Sequence, residues 1–244
     1  MTENPFTQGN AAPPPSVSSS FATQAEAAFR ELVLRPEFPC LGAKAALNAG
    51  ACSLHVFPAL ATASATASLG SALHQFTTND FRMRTDYASF VAIFEGPQDL
   101  DEIEFENLLW QQLRGLHRYD AAHFDWDPNV RSDPADPHFS FSFGGQALYV
   151  IGMHAKSSRQ ARQFPWPTLV FNPHEQFERL RSDGKWKRMQ DTIRSRDLAL
   201  QGSINPMLSD FGIQSEARQY SGRAVEEDWR APFQAEKPEC PFHH

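Results

Sequence analysis

Between Gly152 and Arg162 the chain reads Gly-Met-His-Ala-Lys-Ser-Ser-Arg-Gln-Ala-Arg, so one imidazole and two guanidinium groups share a single loop. Neutral imidazole is the commonest protein ligand for transition metals. Gly152 and Ala155 leave space beside His154, while Arg159 and Arg162, three residues apart, can share one face and hold two carboxylates bidentately. One axial base with cations for two propionates is what heme requires. The competing reading is a plain surface loop.

Other donors are spread along the chain. Cys40, in Phe38-Pro39-Cys40, can offer iron a thiolate, which favours O–O cleavage, although a lone cysteine is more often a small buried hydrophobe. His138 and His174 stand at strand boundaries, where a histidine commonly bonds only to backbone. His117 falls on the apolar stripe of a helix and reads as a core residue. Cys240-Pro241 resembles the short motif of regulatory heme sites, and His55, His74 and His123 have no supporting neighbours.

The elements that position these groups follow from periodicity. Residues 1–22, rich in Pro, Ser and Asn, read as a disordered arm, residues 23–233 as one domain, and 234–244 as a flexible tail. A helix from Thr23 stops at Pro36, a short helix covers 42–49, and a strand covers 53–57. An Ala/Ser/Thr-rich helix spans 61–77 and a strand 87–94. Asp99 and Asp101 sit at the N-terminus of a helix over 101–119, whose stripe is Ile103, Trp110, Leu113 and His117. An Asp/Pro-rich loop fills 120–138. Strict alternation in 139–143, Gly144-Gly145, and the apolar run 147–151 predict a β-hairpin. A strand at 168–171 and helices at 174–182 and 186–200 follow, and the remainder wraps the surface without regular structure. The expected fold class is α+β, a single domain with a mixed or antiparallel sheet, the hairpin at 139–151, and flanking helices.

Charge and composition narrow the function classes. The 244 residues carry 22 Lys+Arg and 29 Asp+Glu, a net charge of −7, with 41% apolar and 12% aromatic residues, enough for a sizeable core. Residues 95–136 hold eleven acids against three arginines and repel nucleic acid, whereas residues 156–196 hold ten cations against four acids. Most of that basic stretch reads as a wetted helix face, since Arg181, Lys185 and Arg188 recur at helical spacing. Three cysteines suit neither a disulfide framework nor a Cys-x-x-Cys zinc site. The longest uncharged stretch, 45–79, lacks the apolar density of a membrane span, and the acidic start lacks a signal-peptide pattern, so a cytoplasmic location is expected. There is no Gly-x-Ser-x-Gly, no Gly-x-x-x-x-Gly-Lys and no Gly-x-Gly-x-x-Gly, so hydrolase, P-loop and dinucleotide readings lack support.

An ordered series of motifs over residues 30–233 resembles the YqcI/YcgG family. The series includes Phe38-Pro39-Cys40, Asp86-Tyr87, Leu109-Trp110-Gln111-Gln112-Leu113, Asp136 to Gly145, and Gly152-Met153-His154 with Ser158-Arg159 and Arg162. It continues through Leu169 to His174, Asn205-Pro206-Met207 and Glu216 to Gly222. Within that family the chain looks most like the heme-dependent guanidine N-hydroxylases of guanitoxin and D-cycloserine biosynthesis. The resemblance implies a b-type heme and oxygen- or peroxide-dependent hydroxylation of a guanidine or amine nitrogen, with the oxidising power belonging to the cofactor. His154 is the first choice for the axial metal ligand and Cys40 the second, with His138 and His174 after them. Arg159 and Arg162 are expected near the propionates. The phenylalanines of 139–143 and Trp166 are expected to make a dry pocket, and Asp127, Asp133, Asp136 or Glu216 to position a cationic substrate. Expected partners are a small guanidine and an electron donor, with no nucleic acid and no membrane; a homodimer is compatible with the sequence. The alternatives are a heme carrier or sensor without turnover, and a cofactor-free protein that binds an anion.

Overall fold

The computed structural model describes residues 17–78 and 87–235. Helix α1 (Ser19–Leu34) begins four residues earlier than periodicity suggests, because the Ser18 hydroxyl caps it by accepting from the Phe21 N–H at 3.2 Å. Then follow α2 (Leu41–Asn48), β1 (Cys52–Phe57), α3 (Ala63–Thr77), β2 (Ser89–Phe94) and α4 (Glu102–Asp120). The hairpin β3 (Phe141–Phe143) and β4 (Gln146–Met153) leads to a 3-10 turn at Gln160–Arg162 and to β5 (Thr168–Pro173). Helices α5 (His174–Ser182), α6 (Trp186–Gln201) and the short α7 (Ala217–Tyr220) complete the order. The flanks of the expected arm and tail, residues 1–16 and 236–244, lie outside the described residues, as does Cys240.

The strands form one sheet in the order β1-β2-β5-β4-β3, parallel only between β1 and β2. This is the mixed sheet of a single α+β domain that the pattern of elements implies. Gly144 and Gly145 turn the hairpin with φ of 61° and 71°, a conformation that side chains disfavour.

The two faces of the sheet are packed differently. On one face Phe90, Phe94, Phe141, Leu148, Val150 and Phe171 meet α3 and α4 in the larger core. Helix α4 starts with a reciprocal cap: the Asp101 carboxylate accepts from the Glu104 N–H at 2.8 Å and the Glu104 carboxylate from the Asp101 N–H at 2.9 Å. Its inward stripe is Phe105, Leu109, Trp110, Leu113, Leu116 and His117. Ile103 does not belong to it and is 60% exposed, a correction to the expected phase, because Phe105 and Leu109 set the buried face. On the other face α1 covers β1, β2 and β5 through Phe29, Val33, Val91 and Val170, with the Phe29 ring edge-on to Phe164 at 5.7 Å. Beyond α1 that face opens into a cavity. Among the described residues, no helix is long and apolar enough to cross a membrane.

Candidate functional site

Strand alternation builds the cavity floor. In β4, Leu148, Val150 and Gly152 face α4, so Tyr149, Ile151 and Met153 face the other way. Val91 of β2 and Val170 of β5 join them, and the two polar floor groups satisfy each other, the Ser89 hydroxyl donating to Asn172 Oδ1 at 2.7 Å. Helix α6 forms the roof, presenting Trp186, Met189, Ile193 and Asp197 at helical spacing. The segment 205–216 closes one side, although its Asn, Pro and Gly content reads as a surface wrap. The cavity, open on one side, has a volume of about 310 Å³, at the small end of ligand pockets.

Cys40 lies in the cavity wall, at the N-cap of α2, where its sulfur accepts from the Ala43 N–H at 3.4 Å. Burial pushes the thiol above its usual range, against the opposing pull of the Ala43 and Gly42 amides and of Lys44. A helix N-terminus favours the thiolate once a cation is there to hold it.

Arg159 and Arg162 both line the cavity but differ in what they hold. Arg159 is buried and engaged: it donates to Asp197 at 2.6 Å, to the Ser203 carbonyl at 2.8 Å and to the Ser203 hydroxyl at 3.1 Å. It therefore clasps α6 and the chain after it to the 152–162 loop. Arg162 donates to the carbonyls of Tyr220 at 3.1 Å and Gly152 at 3.4 Å, and among the described residues no carboxylate stands at ion-pair distance from it. Arg162 is the one of the pair with charge to offer a ligand.

His154 is not brought to the cavity. Continuing the alternation of β4, it falls on the α4 side, buried, with its ring stacked on Phe105 at 4.5 Å and its Nδ1 without a hydrogen-bond partner. Burial lowers its pKa, opposed by the Leu100 carbonyl and by the carboxylates of Glu102 and Asp101. His138 also lies apart, its exposed ring 3.3 Å from the Asp136 carboxylate. His174 does line the cavity, buried with its ring 4.4 Å from Phe211. The phenylalanines of β3 and Phe139 pack in the larger core, and Trp166 packs on Phe21 and Phe164, so neither group supplies the cavity wall. Apolar walls come instead from Phe29, Phe38, Phe177 and Trp186. Tyr149, whose hydroxyl donates to Gln219 Oε1 at 2.8 Å, is a cavity residue that sequence reasoning passed over; its odd position in β4 is the signal that would have found it.

The acidic candidates separate cleanly. Asp127 braces its own loop and the hairpin by accepting from the Asn129 and Ala147 N–H groups, while Asp133 and Asp136 cap turns at Ala135 and His138. None of these lines the cavity. Glu216 does: it is 5% exposed, and Tyr220 donates to its Oε1 at 2.6 Å. Burial pushes its carboxyl up to about 8, despite the hydroxyls of Tyr220 and Ser140 beside it. Among the described residues, no group of three or more His, Cys, Asp or Glu could hold a metal ion.

The chain is 30% identical over 167 residues to "Uncharacterized protein YcgG" of Bacillus subtilis (strain 168), covering 65% of this chain and 62% of that one. It is 32% identical over 165 residues to "Uncharacterized protein YqcI" of the same organism, covering 64% and 61%. The chain thus spans under two thirds of the length of these relatives. No solved structure matches it. Residues 29–234, which take in the sheet, the cavity and the helices around it, match the YqcI/YcgG family, and the chain belongs to that family.

Proposed function

We propose that the protein is a heme-dependent N-hydroxylase acting on a guanidine or amine nitrogen of a small molecule. The observation that carries the reading is one apolar cavity holding a potential thiolate donor, Cys40, and a half-buried guanidinium, Arg162, without a carboxylate at ion-pair distance among the described residues. These residues fit heme. Cys40 would hold the iron, with α2 aiming its N-terminal amides at the sulfur, and Arg162 would receive a propionate. Geometry favours Cys40 over His154, because His154 lies on the opposite face of the sheet and Phe105 covers its ring. A bound heme would supply oxygen activation, placing one oxygen atom in an N–H bond and releasing the other as water, with two electrons and two protons from a donor, or with peroxide in place of dioxygen and donor. The chain's own part is to exclude water with the apolar walls and α6, and to hold the substrate nitrogen in place.

The test is the absorption spectrum of protein expressed with a heme precursor, oxidised and then reduced under carbon monoxide, for the wild type and for Cys40→Ala, His174→Ala and His154→Ala. A Soret band with a red-shifted carbon monoxide complex, lost only in Cys40→Ala, is expected. Absence of a Soret band in heme-replete wild type would sink the reading and leave Arg162 as part of an anion-binding cavity. A band that depends on His174 would keep the heme and replace the ligand.

A further inference from the structure

Among the described residues, the carboxylates that line the cavity are Asp197, Asp210 and Glu216. Asp197 is bound to Arg159 and to the Asn205 N–H, and Asp210, at the exposed rim, accepts from Gln190 Nε2 at 2.6 Å. Glu216 is different. It is almost wholly buried, no cation stands at ion-pair distance among the described residues, and its Oε1 accepts from the Tyr220 hydroxyl at 2.6 Å, with the Ser140 hydroxyl also beside the carboxyl. Tyr220 in turn is fixed, since its oxygen accepts from the Phe141 N–H at 3.0 Å and its ring stacks on Trp110 at 5.7 Å. The carboxylate is therefore aimed by a rigid partner.

A buried carboxylate without a cation is costly to ionise and is stabilised when a cation arrives. We propose that Glu216, oriented by Tyr220, is the residue that receives the cationic head of the ligand and gives the cavity its preference for a guanidinium over a neutral isostere. The inference rests on the hydroxylase reading for the identity of the ligand, and on geometry alone for the sign of its charge. Two parallel N–H groups of a guanidinium match a carboxylate better than a point charge does, because the planar fork can engage both oxygens. Arg181, whose charge acts on Glu216, is engaged elsewhere: its guanidinium pairs with Glu178 and lies over the Trp186 ring at 5.0 Å.

The experiment compares agmatine and L-arginine, which carry a guanidinium, with L-citrulline, which carries a neutral urea of nearly the same shape. Binding is measured by calorimetry on the full chain, wild type and Glu216→Gln, with and without heme loading. Wild type is expected to bind one or both guanidines about 10- to 100-fold more tightly than citrulline, the range of a hydrogen bond to a charged group. Glu216→Gln should erase that ratio by weakening guanidine binding, with the Soret band retained. Circular dichroism of the variant checks the fold, and glutamine, which can still accept from Tyr220, preserves the local hydrogen bond. A tenfold preference retained in Glu216→Gln overturns the proposal, as does a wild type that binds neither guanidine or binds citrulline equally well. The two readings fail separately: charge preference without a Soret band leaves Glu216 in its role and removes the hydroxylase, while a Soret band without charge preference does the reverse.

Discussion

Glu216→Gln is expected to alter the pH dependence of folding more than folding itself. In the unfolded chain the carboxyl titrates near 4.5, and in the folded protein burial moves it to about 8. The folded state therefore holds its proton more tightly, so the stability contributed by the neutral carboxyl is fully present below pH 4.5 and is lost as pH rises through 8. With 1.36 kcal/mol per unit, wild type should lose about 2.5 kcal/mol relative to Glu216→Gln between pH 5 and pH 7, and about 3.5 kcal/mol by pH 8. The variant keeps a neutral amide throughout. Asp120 shifts in the same direction, to about 7, because burial outweighs its two hydrogen bonds from the Gly144 N–H. It is common to both proteins and cancels in the difference. Groups facing Glu216 are Tyr220 on its own helix, Tyr149 of β4 and Arg181 of α5, and the Ser140 hydroxyl ahead of β3. Burial pushes the Tyr149 and Tyr220 hydroxyls upward, away from the pH 5 to 8 range, so the difference curve reports the Glu216 carboxyl. Urea unfolding at pH 5, 6, 7 and 8, under reducing conditions, measures it. Parallel stability curves for the two proteins would refute the reasoning, since they would mean that Glu216 is ionised and satisfied in the folded chain.

Two further outcomes follow from buried ion pairs. Arg223 holds Glu106 through two contacts to Oε2, at 2.8 and 3.1 Å, with the Ser221 hydroxyl on Oε1 at 2.9 Å; Arg223→Met strands that carboxylate and should lower stability by about 3–5 kcal/mol, whereas Arg223→Met with Glu106→Met should recover part of it in a double-mutant cycle. Arg159→Met removes the clasp to Asp197 and Ser203 and is expected to raise hydrogen exchange through α6 and residues 203–210 while β4 and β5 stay protected, whereas equal loss of protection in the sheet would show that the clasp supports the whole fold.

The elements were legible because their signals are local. Proline at 36, Asp99 and Asp101, and Gly144-Gly145 each state a boundary within a few residues. The face that carries the site was not, and β4 shows why. Leu148 and Val150 are as apolar as Ile151 and Met153, since the strand is covered on both sides, so nothing in the run itself says which set faces a cavity. Counting in twos from Gly152, whose missing side chain admits Phe105 and Leu109, places His154 under α4. The same count assigns Tyr149 to the cavity. Arg159 and Arg162 look equivalent in sequence and differ only because Asp197, 38 residues from Arg159, reaches one of them.

Glu216 was one of four acids of equal standing, and what separates it is the Tyr220 hydroxyl and a wall built partly by a segment with little regular structure. Such a group costs the fold stability as pH rises from 5 toward 8. A charge-poor cavity wall made of leucine at this position would avoid that loss. A carboxyl there is consistent with a site whose missing countercharge arrives with the ligand, and bound agmatine should then flatten the wild-type stability curve between pH 6 and 8 as the ionised carboxylate finds its cation.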